Sequence, residues 1–464
     1  MKKLITLCAF FITALLTAQD INGTWYGLLS FPGGDLHINI HLTQNGENYT
    51  ATMDIPEQGA ENIPLNDVAF ENNTLVFALK QAQITYKGTY ENNGFTGTFK
   101  QGSTELPLNF SRQEVTVVAP KRPQEPKSPY PYYEENVTFK NDKAGITLAG
   151  TLTLPKKEGN FPAVILISGS GAQDRNSELL DHKPFLVLAD YLTRNGIAVL
   201  RYDDRGTAES TGDFATATSQ DFATDAAAAY MYLKTRKEVN PKKIGLMGHS
   251  EGGLIAPLVA SENAGVAFVV MLAGPAIAGD EILMLQNYMI GKADNMPEEE
   301  LTKLGKTNRK IYDLVKQEND IPTLKTKLKA VYDTESKALF ISKGIPASRV
   351  DEYIDAQVDG LASPWYINFI KYNPAPALEK VKCPILALYG EKDLQVAPTA
   401  NIEALKRIVE KSGNKKVTIK ELPGLNHLFQ TTETGAPAEY RQIEETFSPT
   451  ALNEISTWIK QQVK

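Results

Sequence analysis

The chain has 464 residues, 42% of them hydrophobic and 22% charged, which is enough apolar material for two or three globular cores and excludes a disordered protein. A formal charge of −7 supplies neither the basic footprint of a nucleic-acid binder nor a polybasic membrane anchor, and fits small or neutral substrates.

The chain opens with Met1-Lys2-Lys3, an apolar run from Leu4 to Leu16, and the small-residue exit Thr17-Ala18-Gln19. This is the layout of a secretory signal over residues 1–18, with cleavage after Ala18, and it implies a secreted or periplasmic protein. The run is too short to span a bilayer with ease and no later stretch approaches 18 apolar residues, so no stable membrane span is expected. Removing Cys8 with the signal leaves Cys383 as the one thiol, so the mature chain can form no internal disulfide.

Residues 20–115 read as a small antiparallel β domain. Apolar and polar residues alternate in Leu36–Leu42 and Ile84–Tyr90, and the short apolar run Leu75–Leu79 continues the series, with Asn92-Asn93-Gly94 and Gln101-Gly102 as hairpin turns and no helical stretch. His37, Asn39 and His41 share one strand face; they could meet a metal, but no third ligand is evident, and a polar outer face accounts for them. No metal and no other cofactor is expected. The domain's role is open between binding a ligand and packing on its neighbour. Residues 116–132 read as a linker, because five prolines in the thirteen positions 119–131 favour an extended, semi-rigid spacer.

From 133 to 464 the pattern changes to apolar runs alternating with helix-like segments, the signature of an α/β sheet. After a hairpin strand at Ile146–Leu154, strands are expected at Ala163–Ile167, Ala198–Tyr202, Ile244–Gly248, Ala267–Leu272, Ile385–Tyr389 and Val417–Leu422. Helices are expected at Pro184–Arg194, Asp221–Lys237, Gly252–Ser261, Ile402–Lys411 and Ala451–Gln461. The interval 278–377 lacks strand runs and reads as an inserted helical cap. One cap helix starts at Pro297-Glu298-Glu299-Glu300, and another covers Arg349–Val358 and is stopped by Gly360.

Chemistry concentrates at Gly248-His249-Ser250-Glu251-Gly252, a Gly-x-Ser-x-Gly pattern directly after a strand run. A turn tight enough to lift Ser250 toward a substrate leaves no space for side chains two residues to either side. A serine nucleophile needs a base, and the base needs a carboxylate behind it. Of five histidines, His427 lies just past the last expected strand; Asp393 lies past the strand before it, with Glu391 as its neighbour. His249 is aimed away from Ser250 by its position and reads as a packing residue at the pocket.

Ser250, Asp393 and His427, in that chain order and at strand ends, resemble the catalytic set of the α/β-hydrolase superfamily over about residues 140–464. The resemblance implies an α/β-hydrolase sheet flanked by helices, carrying the helical cap and preceded by the small all-β domain. It further implies that Ser250 is the nucleophile, His427 the base and Asp393 its orienting acid. Backbone N–H groups of Glu251 and of the loop Ser168-Gly169-Ser170-Gly171 would form the oxyanion hole, the loop donor mapping to Ser170. Gly169–Arg175 and Arg201–Gly212 are similar to bacterial exported esterases that also resemble serine aminopeptidases. In the second stretch, Arg205 reads equally as a salt-bridge residue and as a substrate contact. Gly171, His249, Trp365 and Tyr366 are candidate pocket residues. The expected activity is hydrolysis of a small-molecule carboxylic ester through an acyl-enzyme on Ser250. Two alternatives remain: an aminopeptidase or amidase on the same triad, and an inactive binding protein.

Overall fold

A computed structural model describes residues 20–464 apart from 32–33, 47, 102–103, 116–120 and 344. Residues 1–18, expected to be a secretory signal, and Gly102 of the second expected turn lie outside the described residues. The chain divides into two compact units, one ending at Val117 and including Ser342–Pro346, the other comprising Val118–Ile341 and Ala347–Lys464.

The first unit is a sheet of ten strands: β1 (Gly23–Phe31), β2 (Gly34–Asn45), β3 (Asn48–Ile55), β4 (Ala60–Pro64), β5 (Asn66–Glu71), β6 (Thr74–Leu79), β7 (Ile84–Glu91), β8 (Gly94–Gln101), β9 (Thr104–Pro107) and β10 (Phe110–Ser111). They lie in the order β4-β3-β2-β1-β10-β8-β7-β6-β5, with β9 also on β8. Alternation puts Trp25, Phe77, Tyr86, Phe95 and Phe110 on the buried face. Asn92 and Asn93 take positive φ of 51° and 62° between β7 and β8, as a two-residue hairpin turn demands. The polar histidines have protein partners: His41 lies 2.9 Å from Thr24 Oγ1 and 2.7 Å from Asp54 Oδ2, and His37 lies 2.8 Å from the Val115 carbonyl.

The second unit is built on eight strands: β11 (Tyr133–Asn141), β12 (Ile146–Leu154), β13 (Phe161–Ile167), β14 (Ala198–Tyr202), β15 (Val239–His249), β16 (Val269–Leu272), β17 (Ile385–Gly390) and β18 (Val417–Leu422). Their order is β11-β12-β14-β13-β15-β16-β17-β18. β11, β12 and β14 pair antiparallel, and every pairing from β14 to β18 is parallel. Helices α1 (Pro184–Arg194), α2 (Ser219–Lys234), α3 (Glu251–Glu262), α11 (Pro398–Ser412) and α12 (Pro449–Gln462) accompany the sheet. Between β16 and β17 the cap contributes α4 (Gly279–Ala293), α5 (Glu298–Gln317), α6 (Ile321–Glu335), α7 (Lys337–Ser342), α8 (Val350–Leu361), α9 (Pro364–Lys371) and α10 (Ala375–Lys380). This is the α/β-hydrolase sheet with its inserted helical cap.

Apart from shifts of one to five residues at the ends of several elements, such as β15, β16, α2 and α11, three details differ from expectation. Strand β11 went unread because its alternation is mostly Glu, Asn, Thr and Lys on an edge, with only Phe139 and Asn141 buried. Helix α8 runs through Gly360 to Leu361 because Ile354, Val358 and Leu361 continue one buried stripe. The expected spacer is not free over its described part. The Arg122 guanidinium donates to the carbonyls of Asp181, Leu180, Ile443 and Arg441 at 2.8–3.1 Å, and Gln124 bonds the backbone of Thr446 and Phe447.

Candidate active site

Parallel strands deliver their following loops to one edge of a sheet, so residues just past β13, β15, β17 and β18 converge there. Ser250 follows β15 and precedes α3, with φ 53° and ψ −119°. That backbone is costly for a residue with a Cβ, on the order of 1–3 kcal/mol, and two glycines permit it. A Cβ on Gly248 would stand 1.8 Å from the Gly252 carbonyl oxygen, and one on Gly252 would stand 2.2 Å from the Ile167 oxygen. The Ser250 N–H donates to Leu272 O at 2.8 Å, fastening the turn to the next strand.

His427 is 3% exposed, and its Nδ1 lies 2.8 Å from Oδ2 of the fully buried Asp393. The carboxylate accepts there, so Nδ1 carries the proton and Nε2 is the free lone pair. The other Asp393 oxygen accepts from the Gln395 and Val396 N–H groups at 2.8 and 2.9 Å, fixing its orientation. Glu391, the neighbouring carboxylate, accepts from the Gly424 N–H instead. Ser250 and His427 line one cavity of about 230 Å³ together with Gly169, Ser170, His249 and Glu251.

Among the described residues, no hydrogen bond engages the Ser170 backbone N–H, and the Glu251 N–H, first in α3, has no intrahelical acceptor. Both are available as donors. The Glu251 side chain is 1% exposed and shares the cavity wall with Ser250. It accepts from Ser219 Oγ at 2.6 Å and from Trp365 Nε1 at 3.0 Å, and burial raises its pKa. His249 lies on the cavity wall; its Nε2 donates to the His427 carbonyl at 2.8 Å, and burial pushes its pKa down to about 4, so the ring is neutral.

Trp365 lines the cavity, but Tyr366 and Gly171, also expected there, do not. On α9 the residues sharing a face are Trp365 and Phe369, stacked at 5.1 Å; Tyr366 is a further 100° round and sits at the edge of the Trp365 ring. Gly171, with φ 94°, turns the loop behind Ser170. Arg205 is a structural ion pair, its Nε 2.7 Å from Asp225 Oδ2. Unanticipated wall residues include Leu179, Ile282, Leu283, Gln286 and Gln395; Phe369, also on the wall, had a sequence signal as the aromatic four residues after Trp365. A larger groove of about 460 Å³ between α2 and α3 contains none of the triad candidates.

The family model described as Serine aminopeptidase, S33 matches residues 183–434, more than half of the chain. Esterase EstD of Thermotoga maritima is 28% identical over 378 residues, covering 80% of each sequence. Among solved structures, the Pyrococcus furiosus esterase Pf2001 is similar at TM-score 0.43 and 15% identity, covering 76% of this chain and 100% of that one. Est1E from Butyrivibrio proteoclasticus is similar at TM-score 0.40 and 15% identity, covering 71% and 98% respectively.

Proposed function

Because this chain belongs to the Serine aminopeptidase, S33 family, we propose on the geometry of its site that it is a serine hydrolase cleaving carboxylic esters of small molecules. The observation that carries this reading is the buried His427–Asp393 pair beside a backbone-strained Ser250 on one cavity wall. In this mechanism His427 Nε2 takes the Ser250 proton as Oγ attacks the carbonyl, and Asp393 stabilises the imidazolium. The Glu251 and Ser170 amides hold the oxyanion. His427 then returns the proton to the leaving alcohol, and water repeats the sequence to release the acid.

An ester is favoured over an aminopeptide substrate by the state of Glu251. It is the one carboxylate among the described wall residues; it is held by Ser219 and Trp365, and burial raises its pKa, which disfavours the charged form that an ammonium anchor needs. A volume of about 230 Å³ is below the roughly 300–1,000 Å³ of sites for larger ligands, which supports a short acyl group. Purified protein is expected to bind a fluorophosphonate probe covalently and to hydrolyse p-nitrophenyl acetate or butyrate faster than long-chain esters or aminoacyl p-nitroanilides. Labelling of Ser250→Ala equal to wild type, or a preference for anilides, would overturn the reading. Residues 1–18 support export as part of the same proposal; N-terminal sequencing of the mature protein from the periplasm or medium is expected to begin at Gln19.

A further inference from the structure

The loop 168–173 brings Ser170 to the site and approaches the nucleophile closely: a Cβ on Gly169 would stand 3.2 Å from Ser250 Cβ. It lies in no helix or strand, so its shape depends on what grips it. Asp204, just past β14 and 8% exposed, grips both ends. Ser168 Oγ donates to Oδ1 at 2.6 Å, the Gln173 N–H donates to Oδ2 at 3.0 Å, and the Asp204 N–H donates to Gln173 O at 3.0 Å. Asp203 takes up the continuing chain, accepting from the Arg175 N–H at 2.7 Å and from Arg175 Nε at 3.0 Å.

A buried carboxylate is expensive unless its site compensates it. The charged neighbours acting on Asp204 are acids: Glu251, and Asp225, which is itself paired with Arg205. Burial accordingly pushes the Asp204 carboxyl up to about 7. What this costly group gains is the loop: two donors five residues apart drawn to one side chain, with the segment between them laid against Ser250.

We propose that Asp204 is a positioning residue of the oxyanion site, which by holding Ser168 and Gln173 fixes the Ser170 amide where the developing oxyanion will be. The proposal rests on the ester-hydrolase reading of Ser250. A loosened loop weakens binding of the tetrahedral state and leaves ground-state binding nearly unchanged, whereas a purely structural role would alter melting temperature without that split.

The test uses the full chain with Asp204→Asn, which keeps one acceptor but turns an amide toward the Gln173 N–H, and with Ser168→Ala, which removes a single grip. For Asp204→Asn, kcat on p-nitrophenyl acetate is expected to fall about 10- to 100-fold with KM within about 3-fold of wild type. Affinity for a trifluoromethyl ketone, which forms a tetrahedral oxyanion adduct, is expected to fall in parallel. Ser168→Ala should shift both quantities in the same direction by less, and it decides the question alone if Asp204→Asn does not fold. Unchanged kcat in the folded variants, or a loss carried by KM with ketone affinity retained, would overturn the proposal. A wild-type protein inert to esters and to the fluorophosphonate would instead overturn the ester-hydrolase reading.

Discussion

At the scale of single residues, the site depends on which groups burial keeps neutral. His249, held near pKa 4, retains Nε2–H at any pH suited to a histidine base, and that hydrogen holds the His427 carbonyl. His249→Phe keeps the bulk but leaves the carbonyl unpaired; kcat/KM on a short ester is expected to drop roughly 10-fold, in the range of lost base positioning, while circular dichroism stays native. Asp204 makes a prediction about stability with a definite sign. Its folded pKa of about 7 lies above its unfolded value of 3.8, so its contribution is whole below about pH 4 and is lost as pH rises through about 7. Asp204→Asn is nearly isosteric with the protonated form and carries no charge to bury. Relative to wild type it should therefore gain on the order of 2–3 kcal/mol between pH 5 and pH 8. Urea unfolding of both proteins at the two pH values measures this, and a difference independent of pH would show that the carboxyl ionises normally.

Elements transmit these local choices through a few contacts. Helix α9 is tied to the nucleophile turn by Trp365 Nε1 on Glu251. Trp365→Phe leaves a buried carboxylate one donor short and is expected to lower stability by about 1–3 kcal/mol and to broaden acyl-chain preference, readable as a flatter series of kcat/KM values across p-nitrophenyl esters. Such contacts mark the boundary of what sequence reveals. Strands β14 and β18 and helix α1 have the bounds their patterns predict, because the apolar run of β14, the alternating Val417 and Ile419 of β18 and the proline at the first turn of α1 are local signals. The Gly-x-Ser-x-Gly turn was legible as a short pattern directly after a strand run; Gly248 answers to the backbone of Gly252 and Gly253 close by, whereas Gly252 answers to that of Ile167 and Ser168 on the neighbouring strand and its loop. Edge strand β11 and the run of α8 past Gly360 were not legible, since each depends on burial against a partner distant in sequence. Tyr366 was misplaced by helix phase, which only the docking of α9 fixes. Asp204 lay in a stretch already singled out, yet nothing local distinguishes it from Asp203; their separate tasks appear only when loop 168–175 folds back over them.

For the whole molecule, the division of labour is set by where the site's parts lie in the chain. Ser250, Asp393, His427, Asp204 and every residue on the cavity wall belong to the unit that starts at Val118, and the first unit has its own aromatic core. Hydrolysis is therefore expected to survive removal of the β unit, but the cut must respect Arg122 and Gln124. These two residues bond the carbonyls of Leu180 and Asp181, directly after the wall residue Leu179, and the backbone from Arg441 to Phe447, beyond the His427 loop. A chain beginning at Lys121 should retain kcat/KM on a short ester within about 3-fold of the full chain. A chain beginning at Tyr133 loses these hydrogen bonds, each with a net contribution of about 1 kcal/mol, and should melt several degrees lower and turn over more slowly. Equal behaviour of the two truncations would mean that the proline-rich segment is a spacer after all; loss of activity in both would assign the β unit a part in catalysis.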